Sequence, residues 1–340
     1  MKIAYIIIAH KNPQQLLRLV KRLNHADSYF FIHIDVNADP SVFSSIESSF
    51  KDFPNVTLLK RFNSAYASFG IVQGTVEGLN KAVESKIPFD YLINLSGQDY
   101  PIKTNVQIRE KLSERADASY IWYFELPFVG THPTKGIVCQ KLNRIEQWHV
   151  RLEGRYLNFP LSRQKYRKIF SVKRSFLWLG INLMLPKKRP FIKNYTPYGG
   201  GQWWCLSRKH AEYVYKYVKE NKKQYAYFKY TNIPDEIFFQ TVLLNSPHKN
   251  EIVNDDLRLL YFAGDSSHPI IYKTDDYPII ADSAQLFARK FDTTKDELVL
   301  DLIDKHLLMS ADKTDLSFTN MNGGVRSSQS HQTVSVAENE

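Results

Sequence analysis

Over the first 125 residues, short apolar runs rich in β-branched residues alternate with amphipathic stretches of helical period, which sharply narrows the folds open to this chain. Residues 3–9, IAYIIIA, are apolar enough for a buried strand that ends at His10. Pro13 then suits the first turn of a helix whose Leu16, Leu17, Val20 and Leu23 share one side. Strands are expected at Tyr29–Ile34, running into Asp35, and at Asn55–Leu59. Ser68 is placed to cap a helix reaching about Glu84, with Ile71, Val72, Val76, Leu79 and Val83 on its buried side. A further short strand lies around Ile93 and Leu95, between Pro88 and Gly97. A helix over roughly Val106–Arg115 and a strand at Ser119–Glu125 complete the series. This order predicts an α/β fold with a mostly parallel, Rossmann-like sheet and helices on both faces.

Ligands of open α/β sheets sit outside the carboxyl ends of the strands. The stretch LSGQDYP (95–101) leaves its strand with Ser96, Gln98 and Asp99, and Gly97 permits a tight turn. Those side chains are either the floor of a site or ordinary turn residues.

The alternation fades after Pro127. Residues 163–191 interleave Arg163, Lys165, Arg167, Lys168, Lys173 and Arg174 with Phe170, Phe176 and Trp178, and Lys187, Lys188 and Arg189 follow. This stretch is either a peripheral contact with an anionic membrane or a packed helix with a solvated basic face. Tyr198–Ser207, YGGGQWWCLS, reads as a glycine turn entering a strand, so Trp203 and Trp204 point to opposite faces and one of them can meet a ligand. A helix at Arg208–Lys219, a helix opened by Pro234, a strand at Leu257–Phe262 and a closing helix at Lys295–Leu308 follow. The expected organisation is one domain, 1–310, with a nucleotide-binding half (1–126) and an acceptor half (127–310). Residues 311–340 are polar and expected to be a disordered tail.

The net charge of +10 calls for an anionic partner such as nucleotide phosphates, an acidic glycan or a membrane surface. No nucleic-acid-binding pattern accompanies it. Cys139 and Cys205 are too few for a disulfide scaffold and point to a reducing compartment. The first apolar run is too short to span a bilayer and lacks a small-residue cleavage site, so a cytoplasmic protein is expected, peripheral to the membrane if at all. The sequence has no GxGxxG after its first strand, no GxxxxGK[ST], no GxSxG and no HExxH. It also lacks an Asp-x-Asp after a buried strand, and no metal or other cofactor is expected. The pairs Asp255-Asp256 and Asp275-Asp276 read as solvated turns. Asp235-Glu236, behind Pro234, is an acidic pair at a helix start. Arg289 and Lys290 lie between Phe287 and Phe291, a basic pair with aromatic anchors suited to a phosphate or to a surface salt bridge.

The segments YIIIAHKNP (5–13), FIHIDV (31–36), LINLSGQDYPIKT (92–104), GGQWWCLSR (200–208), IPDEIFFQT (233–241), HPIIY (268–272) and LFARKFD (286–292) together resemble the core-2/I-branching β-1,6-N-acetylglucosaminyltransferase family. That family includes the peptide O-xylosyltransferases. The resemblance spans Lys2–Asp292 and implies a GT-A fold and an inverting transfer from a UDP-sugar, N-acetylglucosamine foremost, to a glycan without a metal ion. It implies Glu236 as general base with Asp235 beside it, and Lys290, with Arg289, at the diphosphate. It places Ala9, His10 and Asp35 at the uridine, Gln98 and Asp99 at the donor sugar, and Gln202 with Trp203 or Trp204 near the acceptor. The chain departs from the family at Gly200-Gly201, where a Gly-Ser often stands. A second phosphate-binding arginine of the animal members also has no clear counterpart, His268 and Lys273 being the basic residues nearest that position.

Overall fold

A computed structural model describes residues 1–132, 136–152, 155–159, 180, 183–184, 188–262 and 269–309. The chain order begins β1 (Ile3–Ala9), α1 (Pro13–Leu23), β2 (Ser28–Ile34), α2 (Pro40–Phe50), β3 (Val56–Leu58), α3 (Phe69–Glu84) and β4 (Tyr91–Ser96). It continues with β5 (Asp99–Pro101), α4 (Asn105–Ser113), β6 (Ser119–Glu125) and two hairpins, β7 (Phe128–His132) with β8 (Gly136–Gln140) and β9 (Trp148–Leu152) with β10 (Arg155–Phe159). The short α5 (Asn143–Glu146) separates the hairpins. Then come β11 (Tyr198–Ser207), α6 (Arg208–Glu220), α7 (Lys222–Tyr227), α8 (Phe238–Leu244) and β12 (Ile252–Val253). The series ends with β13 (Arg258–Leu260), α9 (Tyr277–Ala281), β14 (Phe287–Arg289) and α10 (Leu298–Ile303).

Seven strands form the main sheet in the order β12-β6-β11-β4-β1-β2-β3. All neighbours are parallel except β11, which runs antiparallel to both β4 and β6. The mostly parallel α/β sheet read from the sequence is therefore present. Side-chain alternation along β1 builds two cores. Ile3, Tyr5 and Ile7 pack with Leu16, Leu19 and Val20 of α1 and Ile108 of α4, while Ala4 and Ile6 pack with Val72, Val76 and Leu79 of α3 and Val214 of α6. A second sheet, β13-β14-β5, lies beyond the carboxyl end of β4.

Some local readings change. Ser68 occupies the N-cap position of α3, but its hydroxyl donates to the Asn63 carbonyl and caps nothing. The cap that forms is at α4, where Thr104 and Gln107 make a reciprocal capping box. The strand expected at Leu257–Phe262 shortens to β13, because Leu257 adopts a left-handed φ of 55°. The closing helix starts at Leu298 rather than Lys295, after Asp296 has accepted hydrogen bonds from Thr274. The pair Asp255-Asp256 is not a solvated turn: Asp256 is buried and its Oδ1 accepts the Arg258 backbone N–H. The expected tail, 311–340, lies outside the described residues.

Candidate active site

The stretch that ends β4 supports a basic loop from the other end of the chain. β14 pairs antiparallel with β5, which sets Arg289 opposite Asp99. Asp99 is fully buried and accepts from the Ser96 backbone N–H at 2.9 Å and from Arg289 Nη1 at 2.7 Å. The guanidinium stacks over Trp203, 4.4 Å from its ring centre. Arg289 is thus held on three sides, by Asp99, Ser96 and Trp203. Lys290 follows it between Phe287 and Phe291, both fully buried. Burial, then the charges of Arg289 and Lys11, hold the Lys290 ammonium below the ordinary lysine pKa. The loop's backbone is pinned as well. The Gln98 carbonyl accepts Phe291 N–H, and buried Gln15 donates to the carbonyls of Gly97 and Phe291 and accepts Thr293 N–H.

The acidic pair occupies a separate turn. Ile233 takes a left-handed φ of 49°, and Pro234–Glu236 form one 3₁₀ turn. Ile237 leaves helical space, so α8 begins only at Phe238 and the pair does not sit on its first turn as the sequence suggested. Glu236 Oε2 accepts from Arg144 Nη2 at 3.0 Å and from Gln140 Nε2 at 3.2 Å. Arg144 also donates to the carbonyls of Asn232 and Ile233, so one guanidinium fixes both the turn and its carboxylate. Asp235 is buried; burial first, then Glu236, raises its pKa to about 7. Its Oδ1 has no hydrogen-bond partner among the described residues. Both the basic loop and the acidic turn border β11: Arg289 lies over Trp203, and Gln140, the partner of Glu236, donates to the Gly200 carbonyl at 3.5 Å. Tyr66, 64% exposed, has its hydroxyl pKa raised by partial burial and then by the charges of Glu236 and Asp235. Arg144, Gln140 and Tyr66 were not picked out from the sequence. Arg144 and Gln140 come from the irregular stretch between β7 and β9, where no periodicity marks them.

The remaining expected site residues divide. Asp35 N–H bonds the Ala9 carbonyl, so the ends of β1 and β2 meet, with His10 exposed beside them. Asp35 is buried and its Oδ1 accepts from the backbone and side chain of Asn37. Asp99 and Gln98 lie under the basic loop, where Gln98 Nε2 donates to the Phe291 carbonyl. Gln202 is half-buried, its carbonyl held by Asn94. Trp203 and Trp204 do point to opposite sides, yet neither is an open platform. Trp204 is fully buried against Phe239 in the core, which corrects its expected place near the acceptor, and Trp203 supports Arg289. Gly200 has a structural reason: a Cβ there would lie 1.9 Å from the Trp122 carbonyl oxygen.

The segment 163–187 falls outside the described residues apart from Gly180, Leu183 and Met184. Just past its end, Arg189 is not part of a solvated basic face. Arg189 is buried between the rings of Trp148 and Tyr227 and donates to the carbonyls of Gln147, Tyr227 and Tyr230. Lys188 pairs with Glu146. No helix among the described residues is long and apolar enough to cross a membrane. Among those residues, no three His, Cys, Asp or Glu side chains gather as a metal-ligand set.

Xylosyltransferase 1 of Rattus norvegicus is 24% identical over 328 residues, which are 90% of this chain and 35% of that protein. Xylosyltransferase 2 of the same species is 24% identical over 330 residues, 90% of this chain and 34% of its own. The chain therefore spans about a third of the length of these relatives. The family model described as Core-2/I-Branching enzyme matches residues 3–283, a span that holds the acidic turn and ends before the basic pair. With four-fifths of its length matched in this way, the chain belongs to the Core-2/I-Branching enzyme family.

Proposed function

We propose that this chain is an inverting glycosyltransferase that moves a sugar from a UDP-sugar to a glycan hydroxyl without a metal ion. The observation that carries this reading is that a carboxylate oriented by Arg144 and Gln140, Glu236, and a preset cation pair, Arg289 and Lys290, border the same strand, β11. In such a site Lys290 and Arg289 bind the diphosphate and offset the charge that grows on it as the glycosidic bond breaks. Glu236 takes the proton of the acceptor hydroxyl as that oxygen attacks the anomeric carbon from the opposite side. The UDP leaves carrying the bonding electron pair. Ala9 and Asp35, at the adjoining ends of β1 and β2, would hold the uridine at the carboxyl edge of the sheet.

N-acetylglucosamine is the donor sugar this reading puts first, and a glycan or lipid-linked glycan the acceptor. A second reading, xylose, is supported by the names of the relatives at 24% identity. Peripheral contact with a membrane through 163–191 remains part of the proposal, now without Arg189.

The test is UDP release from a panel of UDP-sugars with glycan acceptors, in EDTA, for the wild type and Glu236→Gln. Turnover in EDTA that falls ~10²–10⁴-fold in the variant is expected. Tight UDP binding with no turnover for any donor would make the chain a nucleotide-binding protein of this fold. Activity abolished by EDTA would refute the metal-free mechanism.

A further inference from the structure

The basic loop has a third cation beside it that the sequence did not single out. Lys11 follows His10 at the carboxyl end of β1, on the edge where Ala9 and Asp35 meet. Its Nζ lies 2.6 Å from Asp292 Oδ2, two positions beyond Lys290. Asp292 is itself buried and is also held by Asn12, Thr293's neighbour Thr294 and the backbone of Thr294, so the carboxylate is a fixed point. The ammonium is thereby parked between the end of β1 and the basic loop, with its side chain 37% exposed. Its charge is felt by both Lys290 and His10. A lysine whose only role was to neutralise Asp292 would not need to stand at the strand edge where a nucleotide's phosphates emerge.

We propose that Lys11 is a third diphosphate-binding cation, with Asp292 as the anchor that presents it beside Lys290. The proposal rests on the UDP-sugar reading above. It supplies, from just past the end of β1, the positive charge for which the sequence offered His268 or Lys273, of which His268 lies outside the described residues. Lys273 is exposed, and its backbone N–H is turned to Asp276. A lysine has three donors, so Nζ can keep Asp292 and still reach a phosphate oxygen.

The experiment is titration of the whole chain with uridine and with UDP by calorimetry, for the wild type, Lys290→Met, Lys11→Met, Lys11→Arg, and Asp292→Asn with and without Lys11→Met. Uridine lacks the phosphates, so a variant that only loosens the fold weakens both ligands together. The expected result is that Lys11→Met, alone or in the Asp292→Asn background, weakens UDP about tenfold or more and leaves uridine unchanged, with Lys11→Arg close to wild type. UDP binding by Lys11→Met/Asp292→Asn equal to that of Asp292→Asn would overturn the proposal, as would equal loss of uridine and UDP in Lys11→Met. Should Asp292→Asn fail to fold, the comparison of Lys11→Met with Lys11→Arg decides alone. Failure of the underlying reading looks different: the wild type would not bind UDP, or Lys290→Met would not weaken it.

Discussion

Replacing Arg144 with Met keeps the length and apolar body of the side chain but removes its fork. Three hydrogen bonds disappear, to Asn232 O at 3.2 Å, Ile233 O at 3.0 Å and Glu236 Oε2 at 3.0 Å. The guanidinium is charged, so each of the three contributes about 1.5–3 kcal/mol. The Glu236 side chain is 32% exposed, so solvent screening discounts the ionic bond toward the bottom of its range. The total loss of stability is therefore about 4.5–7.5 kcal/mol, a melting-temperature drop of roughly 6–10 °C in a chain of this size. The effect on the reaction should be larger than stability alone explains. Glu236 keeps only Gln140 as a partner, and misplacement of a reacting group by about 1 Å costs roughly 10²-fold in rate. Initial-rate kinetics below the melting range should show kcat reduced about 10²-fold, with the KM for the sugar donor little changed because Arg289 and Lys290 are untouched. Arg144→Lys should recover little, since one ammonium cannot serve both the turn carbonyls and the carboxylate. A variant that melts lower yet keeps wild-type kcat would refute the argument and leave Arg144 as a packing residue.

Further outcomes follow from other parts of the candidate site. Asp99→Asn removes the buried counter-charge of Arg289 and should raise the donor KM about tenfold, since a hydrogen bond to a charged group is worth about 1.5–3 kcal/mol; an unchanged KM would show that Trp203 and Ser96 suffice. Asp235 has its pKa raised on folding, so the protonated form is favoured in the native state and its contribution is full below the unfolded aspartate value. The melting temperature of the wild type relative to Asp235→Asn should accordingly decline as pH rises from about 4 through about 7, and a difference constant over that range would contradict the buried, paired-carboxylate account. Gly200→Ala drives a methyl group to 1.9 Å from a backbone oxygen on β6 and should cost ~1–3 kcal/mol or more, visible as a lower melting temperature; a melt like the wild type would mean that β11 can shift.

The amino-acid pattern carried the first half of the fold because β1 is apolar on both faces and α1 and α3 are amphipathic, so period alone separates them. It located Asp235-Glu236 and Arg289-Lys290 because each pair breaks an apolar run, and the resemblance implied roles for them. What local pattern cannot reveal is which distant group a side chain meets. Asp99 looked like a pocket floor; its partner Arg289 is 190 positions away. Arg189 looked solvated among lysines, yet Tyr227, whose carbonyl it holds, is 38 positions away. Strand parity separated Trp203 from Trp204 without saying which side was core. Arg144 and Gln140 lay where neither a helical nor an alternating period existed to flag them.

The pairing of β14 between β13 and β5 also bears on the order in which the protein becomes competent. The main sheet and the acidic turn are encoded before residue 254, whereas the Arg289–Asp99 and Lys11–Asp292 pairs close separations of 190 and 281 residues. A chain leaving the ribosome has the acidic turn and the sheet well before it has either contact at the basic loop. Such long-range closures form late and slowly. On the function proposed above, donor capture is then the last property to be acquired, and a polypeptide stopped short of Phe287 would hold the Glu236 carboxylate without the Arg289–Lys290 pair.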